Sequence, residues 1–73
     1  MAPILLYTTS GCPHCDAMRD ALAARGVTVE VIDVGVRREL VPELLKLTGG
    51  RRLVPVVVED GKILVAPEGG TAF

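Results

Sequence analysis

Two stretches of this chain, Ile4-Leu5-Leu6-Tyr7-Thr8 and Leu53 to Val58, run without the polar alternation of a surface strand. An unbroken apolar run this short belongs to a strand covered on both faces, so each asks for the centre of a sheet with cover above and below it. The chain has 73 residues, room for one domain (1–73) and one modest core, since chains of this size bury only about 60% of their unfolded surface.

The intervening segments supply the cover. Ser10-Gly11 breaks the first run, and Pro13 suits a first helical turn, where its missing N–H costs nothing. Ala17, Met18, Ala21, Leu22 and Arg25 then recur at helical spacing before Gly26, which predicts a helix over 13–25. Val27, Val29 and Val31 alternate with Thr28 and Glu30, the pattern of a half-covered edge strand over 27–33. Val36, Leu40, Leu44 and Leu47 fall on one helical face. A start near Arg38 puts Pro42 in the first turn of this second helix, and Gly49-Gly50 closes it.

Asp60-Gly61 is a type I′ hairpin signal that returns the chain as Lys62 to Ala66. Pro67 to Phe73 is too short and too glycine-rich to predict a helix. The resulting α/β order is β-α-β-α-β-β. The first two strands are joined by a right-handed crossover and run parallel; the last two form an antiparallel hairpin. With the unbroken runs central and the alternating strand at an edge, the mixed four-stranded sheet takes the order 2-1-3-4.

Net charge is −1 with acids and bases interspersed, which argues against a nucleic-acid binder or a polybasic membrane anchor. Ile4 to Tyr7 is too short for a signal h-region, and no segment approaches the ~18 apolar residues of a membrane span. The expected location is cytoplasmic, where a lone disulfide is transient rather than structural.

Chemistry concentrates at Cys12-Pro13-His14-Cys15, which holds both cysteines of the chain at a strand-to-helix junction. A helix N-terminus offers unpaired N–H groups and partial positive charge, which favour thiolate over thiol. Cys12 is therefore the expected thiolate, tuned by Pro13, which fixes the helix start, and by His14, which adds positive charge when protonated. Cys15, one turn further on, is expected to be more buried, less acidic and within reach of a mixed disulfide at Cys12. A structural disulfide is the weaker reading, because so small a loop constrains the unfolded chain little. Two cysteines and one histidine do not complete a tetrahedral metal site within one chain. A dimer bridged through Cys12, holding zinc or an iron–sulfur cluster, is the alternative from another functional class.

The element order, Tyr7-Thr8, C-P-H-C, Asp33-Val34, Leu47-Thr48-Gly49, Val54-Pro55 and the Asp60-Gly61 hairpin together resemble the thioredoxin fold in its small glutaredoxin-like form, over residues 4 to about 65. The resemblance implies a thiol–disulfide oxidoreductase in which Cys12 attacks and Cys15 resolves. It implies a cis Pro55 facing the dithiol, with the backbone of Val54 turned to pair with an extended substrate and Tyr7 beside the site as a substrate contact. Tyr7 also reads as core packing, as does Phe73. No tightly bound cofactor or metal is implied. Substrates would be protein or small-molecule disulfides, with glutathione as candidate co-substrate and glutathione or a flavoprotein reductase as electron donor. The same C-P-H-C occurs in a periplasmic disulfide oxidase of about −120 mV, against about −200 to −230 mV for glutaredoxins, so a potential above the roughly −270 mV of thioredoxin is expected.

The chain departs from that pattern in several places. Thr8, Thr9 and Ser10 stand where glutathione-binding relatives carry a lysine, and Leu53-Val54-Pro55 replaces Thr-Val-Pro. Gly69-Gly70 comes late and precedes Thr71-Ala72 rather than an acidic residue, and the Ser-Gly-Phe-Arg ending of glutaredoxin-like carriers served by thioredoxin reductase is missing. The family's C-terminal helix is expected to be missing or vestigial, leaving one sheet face thinly covered, with a second copy or a partner domain as candidate cover. Arg37-Arg38 and Arg51-Arg52 read first as solvated charge, and second as a clamp for a carboxylate.

Overall fold

The computed structural model describes residues 3–67 and 69–73. Strand β1 (Ile4–Thr8) leads through Cys12 into helix α1 (Pro13–Ala24), and β2 (Val29–Asp33) follows. A 3-10 turn (Arg38–Leu40) runs into α2 (Val41–Thr48). The chain continues as a short β3 (Leu53–Val54), the hairpin β4 (Val56–Glu59) and β5 (Lys62–Val65), and a final β6 (Thr71–Ala72). The main sheet has the order β2-β1-β4-β5, with β1 and β2 parallel and the other pairs antiparallel, as the patterning predicts. Asp60 and Gly61 have φ of 48° and 80°, the left-handed pair that a type I′ turn requires.

The alternation of side chains across β1 and β4 divides the core into two layers. Ile4, Leu6 and Val57 meet Leu22 of α1, with Met18, Val27 and Val29 packed around them. On the other face Tyr7 and Val56 meet Leu44 of α2, joined by Ile32, Val34 and Val54. Both apolar runs are thus covered on both sides, and Leu6 and Leu44 are fully buried. Burying a side chain of that size contributes roughly 1.5–3 kcal/mol. Arg25 reaches Glu59 at 2.8 Å and ties the end of α1 to β4. No helix among the described residues is long and apolar enough to cross a membrane.

Several local expectations are corrected. The run 53–58 is not one strand: Pro55, which has no N–H to give a ladder, separates β3 from β4, and β3 pairs with β6 outside the main sheet. The second helical segment starts as a 3-10 turn and becomes α only at Val41. Val36 therefore lies outside the helix and is 75% exposed, while Leu40, Leu44 and Leu47 of the same face pack inward. Strand β2 begins at Val29 rather than Val27 and is covered on both faces, Val29 on the α1 side and Ile32 on the α2 side, leaving Val31 exposed. Helix α1 ends at Ala24, one residue early, with Arg25 as its cap. Strand β5 ends at Val65, because Ala66 turns to a φ of 44°.

On the α1 face, Leu64 of β5 is exposed beside a hollow of about 190 Å³ bordered by Met18, Leu22 and Val57.

Candidate functional site

The site forms where β1 gives way to α1. Cys12 is the N-cap residue, with extended backbone (φ −93°, ψ 109°), and Pro13 opens the first turn. This geometry turns the Cys12 side chain back over the helix end, where its Sγ accepts the N–H of Cys15 at 3.3 Å. A sulfur here takes the place of the oxygen of an ordinary capping side chain. On its other side Sγ lies 3.4 Å from Oγ1 of Thr71 in β6; the thiol donates to that hydroxyl and the thiolate accepts from it.

Burial opposes ionisation of Cys12, yet its pKa lies below the ordinary thiol value. The Cys15 thiol, the Thr71 hydroxyl and the N–H groups of Cys15 and His14 all hydrogen-bond the sulfur and outweigh the loss of solvation. Cys15 moves the other way. Burial and its hydrogen bond to Cys12 hold its proton on, with the repulsion of a Cys12 thiolate adding least, and together they outweigh the opposing hydrogen bonds at Thr8 and Thr9. The two thiols are thus pushed apart in acidity, and the one at the helix end ionises first. Both are free thiols. Both sulfurs are closed to solvent, Cys12 at 2% and Cys15 at 3% exposure; Cys15 lies deeper among protein atoms, and Cys12 is covered because Thr71 crosses beside it.

The loops around the dithiol are held by Asp33 at the end of β2. Its carboxylate accepts from Ser10 Oγ at 2.9 Å and from the N–H groups of Gly35 and Val36 at 2.9 and 3.2 Å. That fastens the segment before Cys12 to the loop after β2. Beside them lies a groove of about 720 Å³ bordered by Ser10, Val34, Arg38, Arg52, Thr71 and Phe73.

The remaining sequence-predicted residues are placed as follows. His14 is exposed on the first turn of α1, next to Gly69. The Val54-Pro55 peptide is cis, and both residues are buried. Tyr7, expected as a substrate contact, is instead 3% exposed in the core layer that includes both sulfurs, so it supports the site from beneath. Burial raises its phenol pKa, with Glu43 and Glu30 adding to the effect. The backbone of Val54, expected to be open to a substrate, is paired with Thr71. Of the two arginine pairs, Arg37 reaches Glu39 at 3.5 Å, while Arg52 donates from Nε to the main-chain oxygen of Phe73 at 2.8 Å.

Thr71 and Arg52 carry roles that local pattern does not reveal, since both act through a segment distant in sequence. The late Gly69-Gly70 pair was the available signal: glycines so placed allow a chain to pass close to another backbone. Among the described residues no three His, Cys, Asp or Glu side chains converge as a metal site.

The family profile of glutaredoxins matches residues 4–64. A Mycobacterium tuberculosis protein that bears the name glutaredoxin is 33% identical over 67 residues, covering 90% of this chain and 80% of its own length. The Gene 56 protein of Mycobacterium phage L5 is 36% identical over 59 residues, or 81% of this chain; the match spans only 56% of the phage protein. Among solved structures, the crystal structure of a glutaredoxin from Archaeoglobus fulgidus superimposes with a TM-score of 0.75 at 31% identity, covering 97% of this chain and 77% of that one.

Proposed function

Because the chain belongs to the glutaredoxin family, we propose that it acts as a single-domain dithiol–disulfide oxidoreductase with Cys12 as nucleophile and Cys15 as resolving thiol. The observation that carries this reading is the placement of two free thiols one helical turn apart, with Cys12 capping α1 and its sulfur accepting the Cys15 N–H at 3.3 Å; the opposite directions of their acidity accord with it. Attack requires a thiolate, and resolution requires a second thiol that stays protonated until it is needed.

In the first step the Cys12 thiolate attacks one sulfur of a substrate disulfide. A Cys12–substrate disulfide forms, and the other substrate sulfur leaves as a thiolate that takes up a proton. Cys15 then loses its proton and attacks the Cys12 sulfur. This releases the second substrate thiol and leaves a Cys12–Cys15 disulfide, so two electrons have passed from the protein to the substrate. Two glutathione molecules, or a flavoprotein reductase, return those electrons. Pro13, by fixing the helix start, and His14, through its first-turn N–H, support the thiolate. Such a cycle belongs in a reducing compartment, the cytoplasm, where the dithiol can be recharged.

The test is reduction of a peptide–glutathione mixed disulfide, supplied in turn with glutathione and with thioredoxin reductase and its reductant. Cys12→Ser should abolish turnover with either donor. Cys15→Ser should leave a Cys12–peptide or Cys12–glutathione adduct visible by mass spectrometry. Stoichiometric iron or zinc in anaerobically purified protein, together with absent turnover, would replace this reading by the metal-bridged dimer.

A further inference from the structure

Residues 69–73 cross the mouth of the site as a strap, and a specific contact holds nearly every residue in it. Gly69 passes against the His14 ring, where a Cβ would come within 3.2 Å of the imidazole. Gly70 runs so close to β3 that a Cβ would lie 2.5 Å from the carbonyl oxygen of Val54. Thr71 pairs with Val54 and Ala72 with Leu53 in antiparallel register. Phe73 donates its N–H to Arg52 O at 3.1 Å and accepts from Arg52 Nε at 2.8 Å, with the guanidinium 4.9 Å from the centre of its ring.

This places an extended segment on β3, a short strand outside the main sheet, with the γ-oxygen of its middle residue 3.4 Å from the Cys12 sulfur. A cysteine at that position of a foreign segment would present its own γ-sulfur to the same thiol. We propose that residues 69–73 are a built-in pseudosubstrate: they hold the docking edge of β3 in the register of an extended disulfide-bearing segment, and they leave it for such a segment to bind. The proposal rests on the oxidoreductase reading for the identity of the displacing segment; the cover over Cys12 stands without it.

Two further observations support displacement. Cys12 is 2% exposed, yet Gly69, Gly70, Thr71 and Ala72 beside it are themselves exposed, so the cover is a thin ribbon with little buried area to hold it. Segments of that kind open at low free-energy cost. At its last residue the strap is held by a cation–π and hydrogen-bonded clamp at Arg52, whose guanidinium is itself on the surface.

The strap also describes the segment that replaces it. The residue before the reacting cysteine takes the place of Gly70 and must be glycine, because any Cβ there meets the Val54 carbonyl. The residue two positions after the cysteine takes the place of Phe73 and gains from an aromatic ring on Arg52. The substrate class is therefore a protein disulfide in an extended Gly-Cys-small-aromatic context.

The experiment measures iodoacetamide alkylation of Cys12 in the reduced, full-length chain as a function of pH, resolved from Cys15 by peptide mass spectrometry. The alkaline plateau reports access to the sulfur, and the midpoint reports ionisation. Gly70→Ala forces the strap off β3, and Arg52→Ala removes its clamp from an exposed position; amide spectra check that each variant is folded. If the strap is seated about nine-tenths of the time, both variants raise the plateau by up to about tenfold. In the same series a disulfide-linked Gly-Gly-Cys-Ala-Phe peptide is reduced several-fold faster than an Ala-Ala-Cys-Ala-Ala peptide by wild-type protein, and the advantage from its aromatic residue shrinks in Arg52→Ala. Equal plateaus in wild type and in folded Arg52→Ala overturn the strap. Raised plateaus in a protein that reduces neither peptide keep the cover and remove the oxidoreductase reading. Turnover with unmoved plateaus does the reverse.

Discussion

The hydroxyl of Thr71 stands 3.4 Å from the sulfur of Cys12, across a separation of 59 positions in the chain. It is a side chain on a segment remote from the C-P-H-C turn that contributes directly to the ionisation of the thiol. The acidity of Cys12 is in this sense a tertiary property added to a local one. The local part comes from α1, whose first-turn N–H groups point at the sulfur.

Thr71→Val should move the midpoint of Cys12 alkylation upward and leave the alkaline plateau in place, since the strap stays seated without its hydroxyl. On the acid side of the profile the rate should fall by roughly two- to tenfold, the range set by loss of one hydrogen bond worth about 0.5–1.5 kcal/mol. Thr71→Ser should restore the wild-type curve. A midpoint unmoved in Thr71→Val would show that the hydroxyl does not reach the thiolate.

The dependence of stability on pH should have opposite signs for the two thiols. Cys12 has a folded pKa below its unfolded value, so its contribution is present above the ordinary thiol pKa and is lost as pH falls through the folded value. Cys15 has a raised folded pKa, so its contribution is present below the ordinary thiol pKa and is lost as pH rises through the folded value. Urea denaturation of the reduced protein should therefore show Cys15→Ser gaining stability with rising pH up to the ordinary thiol pKa. Cys12→Ser should lose stability as pH rises beyond it. Parallel pH profiles for the two variants would contradict the assignment.

Hydrogen bonds that favour the Cys12 thiolate stabilise the reduced protein and make its disulfide easier to reduce. Equilibration with glutathione buffers should give a midpoint above the roughly −270 mV of thioredoxin. A lower midpoint would mean that the oxidised form is stabilised more strongly than the thiolate.

Asp33→Ala should loosen both loops beside the dithiol, because one carboxylate holds Ser10, Gly35 and Val36 together. The expected cost is about 1 kcal/mol, the usual worth of a side-chain cap on otherwise unpaired N–H groups. Asp33→Asn, which keeps an acceptor oxygen, should cost less. Equal denaturation midpoints for wild type and Asp33→Ala would leave these bonds without energetic weight.

Leu44→Ala should destabilise the protein by about 2–5 kcal/mol, the range for emptying a fully buried leucine site. Val36→Ala, on a side chain 75% exposed, should stay within about 0.5 kcal/mol of wild type. Chemical denaturation separates the two directly, and a large loss in Val36→Ala would place that residue back on the buried helix face.

Much of the architecture was legible because it is local. The two helical segments follow from apolar spacing, the hairpin from Asp60-Gly61, and the central place of Ile4–Thr8 from its unbroken apolar character. Pro42 falls in the first turn of α2 because a helix tolerates proline only there. The misreadings occur where a residue satisfies a pattern that its neighbours do not share. Val36 keeps helical register with Leu40 and Leu44, but the chain reaches α only at Val41. Val31 keeps strand alternation with Val29, but it lies on the edge strand and is 42% exposed.

By itself, then, the sequence determined which segments become strands and helices, their order in the sheet, and the seat of the two cysteines at a helix N-terminus. These depend on side-chain period, turn chemistry and short-range hydrogen bonds, all of which are written within a few residues. Only the tertiary structure decided that β3 leaves the main sheet, that Thr71 pairs with Val54 and meets Cys12, and that Arg52 holds Phe73. Those contacts join residues far apart in the chain through single backbone and side-chain groups, and such pairings leave no periodic trace in the residues that make them.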